Sequence, residues 1–134
     1  MDNFEQAKQL FLEGIAALEG GQYETAERKF VGSLELLPGR VSTLTNLSTT
    51  QTALNKFAEA RANTLAALTI DPNALEGWLN LGLVELHERH YPEAVQAFNK
   101  ALSINRQSLA AWKGLANAHD ASGDSAEALR CYEA

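Results

Sequence analysis

The sequence has one cysteine, no long apolar run and no uninterrupted apolar core among its first twenty residues. Because Cys131 has no second cysteine to pair with, an internal disulfide is excluded and nothing points to an oxidising compartment. No segment approaches the roughly 18 apolar residues that a membrane span needs. Glu5, Glu13 and Glu19 interrupt any signal-peptide core near the start. The sequence therefore predicts a cytoplasmic protein with no membrane partner.

Positive charge is also sparse. Eleven Lys and Arg residues face seventeen Asp and Glu residues, which gives a formal net charge of −6. The cations are scattered, and Arg28 and Lys29 form the only adjacent pair. Nucleic-acid binding needs clustered Lys and Arg, so we expect no nucleic-acid partner. A composition of 46% hydrophobic and 21% charged residues is typical of a globular domain.

Patterns typical of catalysis are missing as well. There is no glycine-rich phosphate loop and no nucleophile with a placed base. His87 and His90 lie one helical turn apart, but a zinc site needs three or four ligands and the repeat places no other His, Cys or Asp beside them. Cys131 has only Arg130 as a basic neighbour, which disfavours a nucleophile. We therefore predict no enzyme activity, no metal site and no cofactor.

The most informative segment runs from residue 73 to residue 104 and predicts two amphipathic helices. Its apolar residues recur at helical spacing, and Pro92 opens the second helix, where a missing backbone donor costs nothing. Small residues such as Gly82 face large ones such as Trp78 and Phe98, which lets two helix backbones approach closely. We expect Trp78 to be the most buried large side chain, wedged between the second and third repeats.

The same pattern recurs at a period of 34 residues across the chain. Positions shared with Gly82 are Gly14, Ser48 and Ala116, and positions shared with Phe98 are Phe30, Thr64 and Tyr132. The segment 41–52 is rich in threonine and favours a strand by propensity alone. Its leucines keep helical spacing, however, and both neighbouring repeats place a helix there. The period therefore predicts a helix.

The period and the residue types resemble the tetratricopeptide repeat family, whose pattern is an aromatic, Leu-Gly, alanine, an aromatic, alanine and a closing proline. The third repeat matches nearly all of it, with Arg106 where Pro38 and Pro72 close the first two. The resemblance implies an all-α, right-handed solenoid of helix-turn-helix repeats in a single domain over residues 1–134. About four repeats are expected, the last incomplete: 3–39, 40–73, 74–107 and 108–134.

The resemblance also implies a protein–protein interaction module, or scaffold, that binds a peptide or partner segment in a concave groove lined by the first helix of each repeat. The candidate groove residues are Phe11, Ile15, Asn46, Thr49, Asn80, Leu83, Lys113 and Asn117. Asn46 and Asn80 stand one repeat apart, and an amide that donates and accepts can hold an extended peptide backbone. Alternatively, these amides bond neighbouring turns of a solvated groove.

Two further functions stay open. Some family members grip the acidic C-terminal tails of chaperones with a Lys–Asn clamp. Lys113 and Asn117 match its opening pair, whereas Phe11 and Ile15 occupy those positions in the first repeat. Alternatively, the chain is the N-terminal, substrate-presenting region of a larger enzyme such as a glycosyl- or methyltransferase, which the unfinished fourth repeat favours.

The C-terminal end carries one more expectation. Ala128 and Tyr132 should pack on the preceding helix, while Leu129 points to where a fifth repeat would lie. Solenoids normally close such an end with a polar capping helix, and none follows Ala134. We expect the isolated chain to self-associate through this end or to be weakly ordered beyond about Ala126.

Overall fold

A computed structural model describes residues 2–123, and seven helices account for most of them. They are α1 (Asn3–Glu19), α2 (Tyr23–Leu36), α3 (Val41–Ala53), α4 (Phe57–Ile70), α5 (Leu75–His87), α6 (Tyr91–Ile104) and α7 (Leu109–Ala121). The described residues contain no strand, and the helices pair into successive hairpins, which confirms the predicted all-α fold of tandem helix-turn-helix repeats. None of these helices is long and apolar enough to span a membrane.

The helices belong to two compact units, Met1–Pro72 and Asn73–Ala134. In the first unit α1 packs on α2, α3 packs on α4, and α2 also contacts α3. In the second unit α5 packs on α6 and α6 packs on α7, with a smaller contact between α5 and α7. A single domain over residues 1–134 stays a prediction. The expected last helix, with Ala128, Leu129 and Tyr132, lies outside the described residues.

The threonine-rich segment forms helix α3, as the period predicted. Its hydroxyl groups bond back to carbonyls of the preceding turn: Thr49 Oγ1 donates to Thr45 at 3.0 Å, and Thr52 Oγ1 donates to Ser48 at 2.8 Å. Such back-bonding satisfies the hydroxyl groups within the helix. Packing of α3 on α4 then outweighs the intrinsic preference of threonine for a strand.

Each unit is centred on a phenylalanine ring that lies against the backbone of a glycine. A Cβ atom added to Gly14 would lie 2.6 Å from Phe30 Cε1, and one added to Gly82 would lie 2.6 Å from Phe98 Cε1. Both rings are completely or almost completely buried. Since no side chain fits between ring and backbone, these glycines set the distance between the two helices of their hairpin.

In the second repeat polar residues form the corresponding contact between the two helices of the hairpin. Ser48 replaces the glycine and Thr64 replaces the phenylalanine, and both are fully buried. The Ser48 hydroxyl donates to the carbonyl of Ala60 at 3.1 Å, and the two hydroxyl groups bond each other. Buried hydroxyl groups are costly unless they are paired, and this arrangement pairs both.

A polar network joins three helices of the first unit. The Glu27 carboxylate on α2 accepts from Gln51 Nε2 on α3 at 3.2 Å and from Lys56 Nζ at 2.8 Å. Gln51 Oε1 in turn accepts from Asn63 Nδ2 on α4 at 2.7 Å. The hydrogen bond with Glu27 raises the pKa of Lys56 above its ordinary value, so any contribution of this pair to stability is lost only as the pH rises through that raised pKa.

The expectation that Trp78 is the most buried large side chain is wrong. Phe30 and Phe98 are the largest fully buried side chains, whereas Trp78 is partly buried and packs at the margin of the core of the second unit. The Lys100 ammonium lies 6.0 Å from the centroid of the indole ring. The larger ring lies at the margin because the close approach of α5 and α6 leaves room for one ring, which is that of Phe98.

Phe98→Ala should therefore destabilise the chain more than Trp78→Ala. We expect Phe98→Ala to lower the free energy of unfolding by about 3–5 kcal/mol, because it opens a cavity against Gly82 on α5 and Gly114 on α7. The loss for Trp78→Ala should be smaller, because part of its ring already faces water. Urea denaturation of both variants gives the two values, and a reversed order would contradict the packing described above.

Gly14→Ala and Gly32→Ala form a matched pair of helical glycine substitutions. The added methyl at position 14 meets the Phe30 ring and should cost about 1–3 kcal/mol by overpacking. The methyl at position 32 meets only the tip of Leu10 at 3.3 Å, so the result should lie between no change and a gain of about 1 kcal/mol from helix propensity. Thermal denaturation that ranks the two variants equally would contradict the ring–glycine contact.

Candidate functional site

A cleft of about 250 Å³ lies between α1, the end of α2 and the start of α3, all within the first unit. We call it the α1–α3 cleft. Its apolar lining is Phe4, Phe11, Leu12 and Leu37, and its two cationic residues are Lys8 and Arg40. Phe4 and Leu12 are each 54% exposed, so the apolar lining is accessible from solvent. The predicted groove residue Phe11 is partly buried, and its ring lies 5.9 Å from that of Phe30.

The other predicted groove residues of the first unit differ in what they can offer a ligand. Ile15 is partly buried and packs on the core around Phe30. Asn46 Nδ2 donates to the carbonyl of Ser42, one turn earlier on α3, at 2.8 Å. Its amide still has a second N–H and its carbonyl oxygen, so it can both donate to and accept from a peptide. Thr49 is exposed, with its hydroxyl bonded within α3.

In the second unit the structure separates the predicted residues by burial. Leu83 is 41% exposed on α5, whereas Asn80, three residues earlier, is only 6% exposed. Lys113 and Asn117 are both exposed, one turn apart on α7. Leu83, Lys113 and Asn117 can therefore contact a ligand directly, while Asn80 can do so only through the small part of its amide that faces solvent.

Gly114 lies one repeat after Asn80, and the structure gives a physical reason why no asparagine occupies this position. A Cβ atom there would collide with the ring of Phe98, since three ring atoms lie within contact distance of its place. The ring that occupies the space beside Gly82 therefore also excludes a side chain from this position of α7.

A cluster of possible metal ligands lies at the turn between α5 and α6. Glu85, Glu88 and His90 each place one ligand atom within 4.8 Å of the others. The sequence pattern singled out His87 together with His90, but His87 does not belong to this group. His90 Nδ1 lies 3.5 Å from Glu85 Oε2, a contact that is an ion pair when the imidazole is protonated. An ion pair accounts for this geometry, and we assign no metal site to it.

Sequence reasoning missed the residues that close the α1–α3 cleft. Phe4 lies in the first turn of α1, and Arg40 is the residue that precedes α3, with its guanidinium 5.7 Å from the centroid of the Phe4 ring. Both lie outside the apolar stripes that the period identifies. The available signal was an aromatic residue at the start of α1 and a cation at the start of α3, which are the first helices of the first two repeats.

Comparison with known proteins identifies what these hairpins resemble. Residues 85–134 match the tetratricopeptide repeat family model. The small glutamine-rich tetratricopeptide repeat-containing protein 2 of Saccharomyces cerevisiae is 26% identical over 99 residues, which are 74% of this chain and 29% of that protein. The chain thus spans less than a third of the length of this relative.

Two solved structures share the fold. The tetratricopeptide repeat domain of Arabidopsis OM64 aligns with a TM-score of 0.86 and 22% identity, and covers 89% of this chain and 98% of its own. The first such domain of Spaghetti (RPAP3), bound to the HSP90 peptide SRMEEVD, aligns with a TM-score of 0.84 and 18% identity, and covers 90% of this chain and 95% of its own.

The two asparagines should respond differently to truncation. Asn46→Ala removes a partly exposed amide that bonds only within α3, so we expect the free energy of unfolding to change by less than about 0.5 kcal/mol. Asn80→Ala removes an almost buried amide and should cost more, about 1–3 kcal/mol. Chemical denaturation of both variants checks this order, and equal losses would show that burial does not distinguish the two side chains.

Proposed function

The chain belongs to the tetratricopeptide repeat family, and from that premise we propose that it is a protein-interaction module. The proposed ligand is a polypeptide segment of a partner protein. In each unit considered by itself, such a segment lies against the exposed faces of the first helices, which are α1 and α3 in the first unit and α5 and α7 in the second. The residues proposed to contact a ligand are Phe11, Ile15, Asn46 and Thr49 in the first unit, and Asn80, Leu83, Lys113 and Asn117 in the second.

The accessible α1–α3 cleft is the observation that carries this proposal. The cores of the hairpins are filled by Phe30 and Phe98, so Phe4 and Leu12 on α1 are not needed to fill them. An exposed aromatic and an exposed leucine beside a cleft form a surface that stabilises a complex when water is displaced from it. Polar neighbours such as Asn46 supply the directional hydrogen bonds that fix the orientation of a peptide.

The solved relative with a bound peptide supports the same class of ligand. The RPAP3 domain holds an HSP90 peptide, and its fold covers 90% of this chain. At 18% identity this likeness concerns the fold, so the partner of the present chain is not taken from it. In the first repeat the partly buried apolar residues Phe11 and Ile15 occupy the positions where the chaperone clamp would need Lys and Asn, which favours a different peptide chemistry.

The proposed binding function is the same whether the chain is a free-standing adaptor or a substrate-presenting region of a larger enzyme. In both cases it binds a polypeptide, and no described residue is needed for a chemical step. The proposal therefore concerns the binding surface and holds for either context.

Amide chemical-shift mapping with a peptide library tests the proposal. Peptides that bind should change the chemical shifts of amides in α1, α3, α5 or α7. For peptides that perturb α3, Asn46→Ala should lower the affinity about two- to tenfold, as expected for the loss of one hydrogen bond. Asn99 is an exposed asparagine on α6, a second helix of the repeat, and Asn99→Ala is the matched control. Shifts centred on α2, α4 and α6, with affinity that ignores Asn46, would contradict the proposal.

A further inference from the structure

The α1–α3 cleft combines apolar side chains with cations that have no carboxylate partner. Lys8 and Arg40 are exposed and line the cleft together with Phe4, Leu12 and Leu37. Within residues 2–123 neither cation forms an ion pair with a carboxylate. In the same unit Lys29 pairs with Glu13 at 3.0 Å and Lys56 pairs with Glu27 at 2.8 Å. The cleft therefore carries unpaired positive charge on a chain whose net charge is −6.

The guanidinium of Arg40 also has an aromatic contact within the cleft. It lies 5.7 Å from the centroid of the Phe4 ring, a distance typical of a cation–π contact. A guanidinium stacked on a ring keeps its N–H groups at its edge, where they match the two oxygens of a carboxylate. Holding the group in advance lowers the conformational entropy lost when a ligand binds.

The floor of the cleft has a different character from its rim. Ala7, Ser33 and Thr43 are buried there, and the Ser33 hydroxyl donates to the carbonyl of Ala7 at 2.7 Å. The floor thus suits an apolar side chain, while a buried carboxylate would lack a charged partner beneath it. The cations lie at the rim, where the ligand can keep its negative charge partly in water.

We propose that the α1–α3 cleft binds an internal segment of a partner protein in which a bulky apolar residue is adjacent to an acidic residue. The apolar side chain enters the cleft against Phe4, Phe11 and Leu12. The neighbouring side-chain carboxylate lies at the rim and contacts Arg40 and Lys8. This inference rests on the proposed function and adds the chemistry of the ligand. The occupant is an internal acidic side chain, since a terminal carboxylate that follows the apolar residue into the cleft would meet an uncharged floor.

Matched peptides, acetylated at the N-terminus and amidated at the C-terminus, test the ligand chemistry with the full chain. The first contains a central Leu-Glu pair in a neutral background, the second replaces Glu by Gln, and the third replaces Leu by Ala. Calorimetric titration should give the tightest binding for the Leu-Glu peptide, with a loss of about three- to tenfold for each change. The affinity of the Leu-Glu peptide alone should fall as salt is raised.

Variants of the chain test the site. Lys8→Gln with Arg40→Gln should weaken binding of the Leu-Glu peptide to the level of the Leu-Gln peptide and remove the salt dependence. Leu12→Ser should weaken both peptides alike. Arg106→Gln, which removes an exposed cation of the second unit, is the control and should change neither affinity. All four positions are exposed, so the fold should tolerate these changes, and circular dichroism of each variant verifies this.

The outcomes separate this inference from the function it rests on. Peptide binding that shifts only α5 and α7 and ignores Lys8 and Arg40 would overturn the cleft assignment and leave the proposed function standing. Binding that requires a free C-terminal carboxylate would overturn the internal acidic segment in favour of terminal capture. If a broad peptide library contains no binder at any first helix, both the proposed function and this inference are wrong.

Discussion

The contact between a phenylalanine ring and a glycine backbone is the constraint on which the rest of the structure depends. At Gly14 and Gly82 the ring of the second helix fills the place of the missing Cβ atom, so the two helices of each hairpin lie as close as their backbones allow. Each ring is thereby buried inside its hairpin. Because these rings fill the interiors of their hairpins, exposed residues such as Lys8 and Leu12 on α1 and Leu83 on α5 are not needed for core packing and can face a ligand.

The second repeat shows that the contact between the two helices of a hairpin requires two side chains that fit each other, and not glycine and phenylalanine in particular. Ser48 and Thr64 replace glycine and phenylalanine together, and their hydroxyl groups pair with each other and with the carbonyl of Ala60. A single replacement would leave either a clash or an unpaired buried hydroxyl group. In the same unit the hydrogen bonds among Glu27, Gln51 and Asn63 connect α2, α3 and α4.

Much of the fold follows from the sequence because a 34-residue period fixes where each helix lies, even in the threonine-rich α3. Period alone does not give burial. It treats Asn46 and Asn80 as equivalent, yet Asn46 is partly exposed while Asn80 is almost buried, since each amide depends on its own neighbours. It also favoured Trp78 over Phe98, because residue size does not show which ring lies over a glycine. The α1–α3 cleft depends on Phe4 and Arg40, which are brought together from two separate helix starts and share no periodic pattern.

Photo-crosslinking from two matched leucines tests most directly whether the first-helix face is the binding face. Leu12 on α1 is 54% exposed and Leu65 on α4 is 47% exposed, so a photoreactive phenylalanine analogue at either position should leave the core intact. With a binding peptide, the account predicts a covalent adduct from position 12 and almost none from position 65. Equal adducts from both positions, or an adduct from position 65 alone, would contradict it.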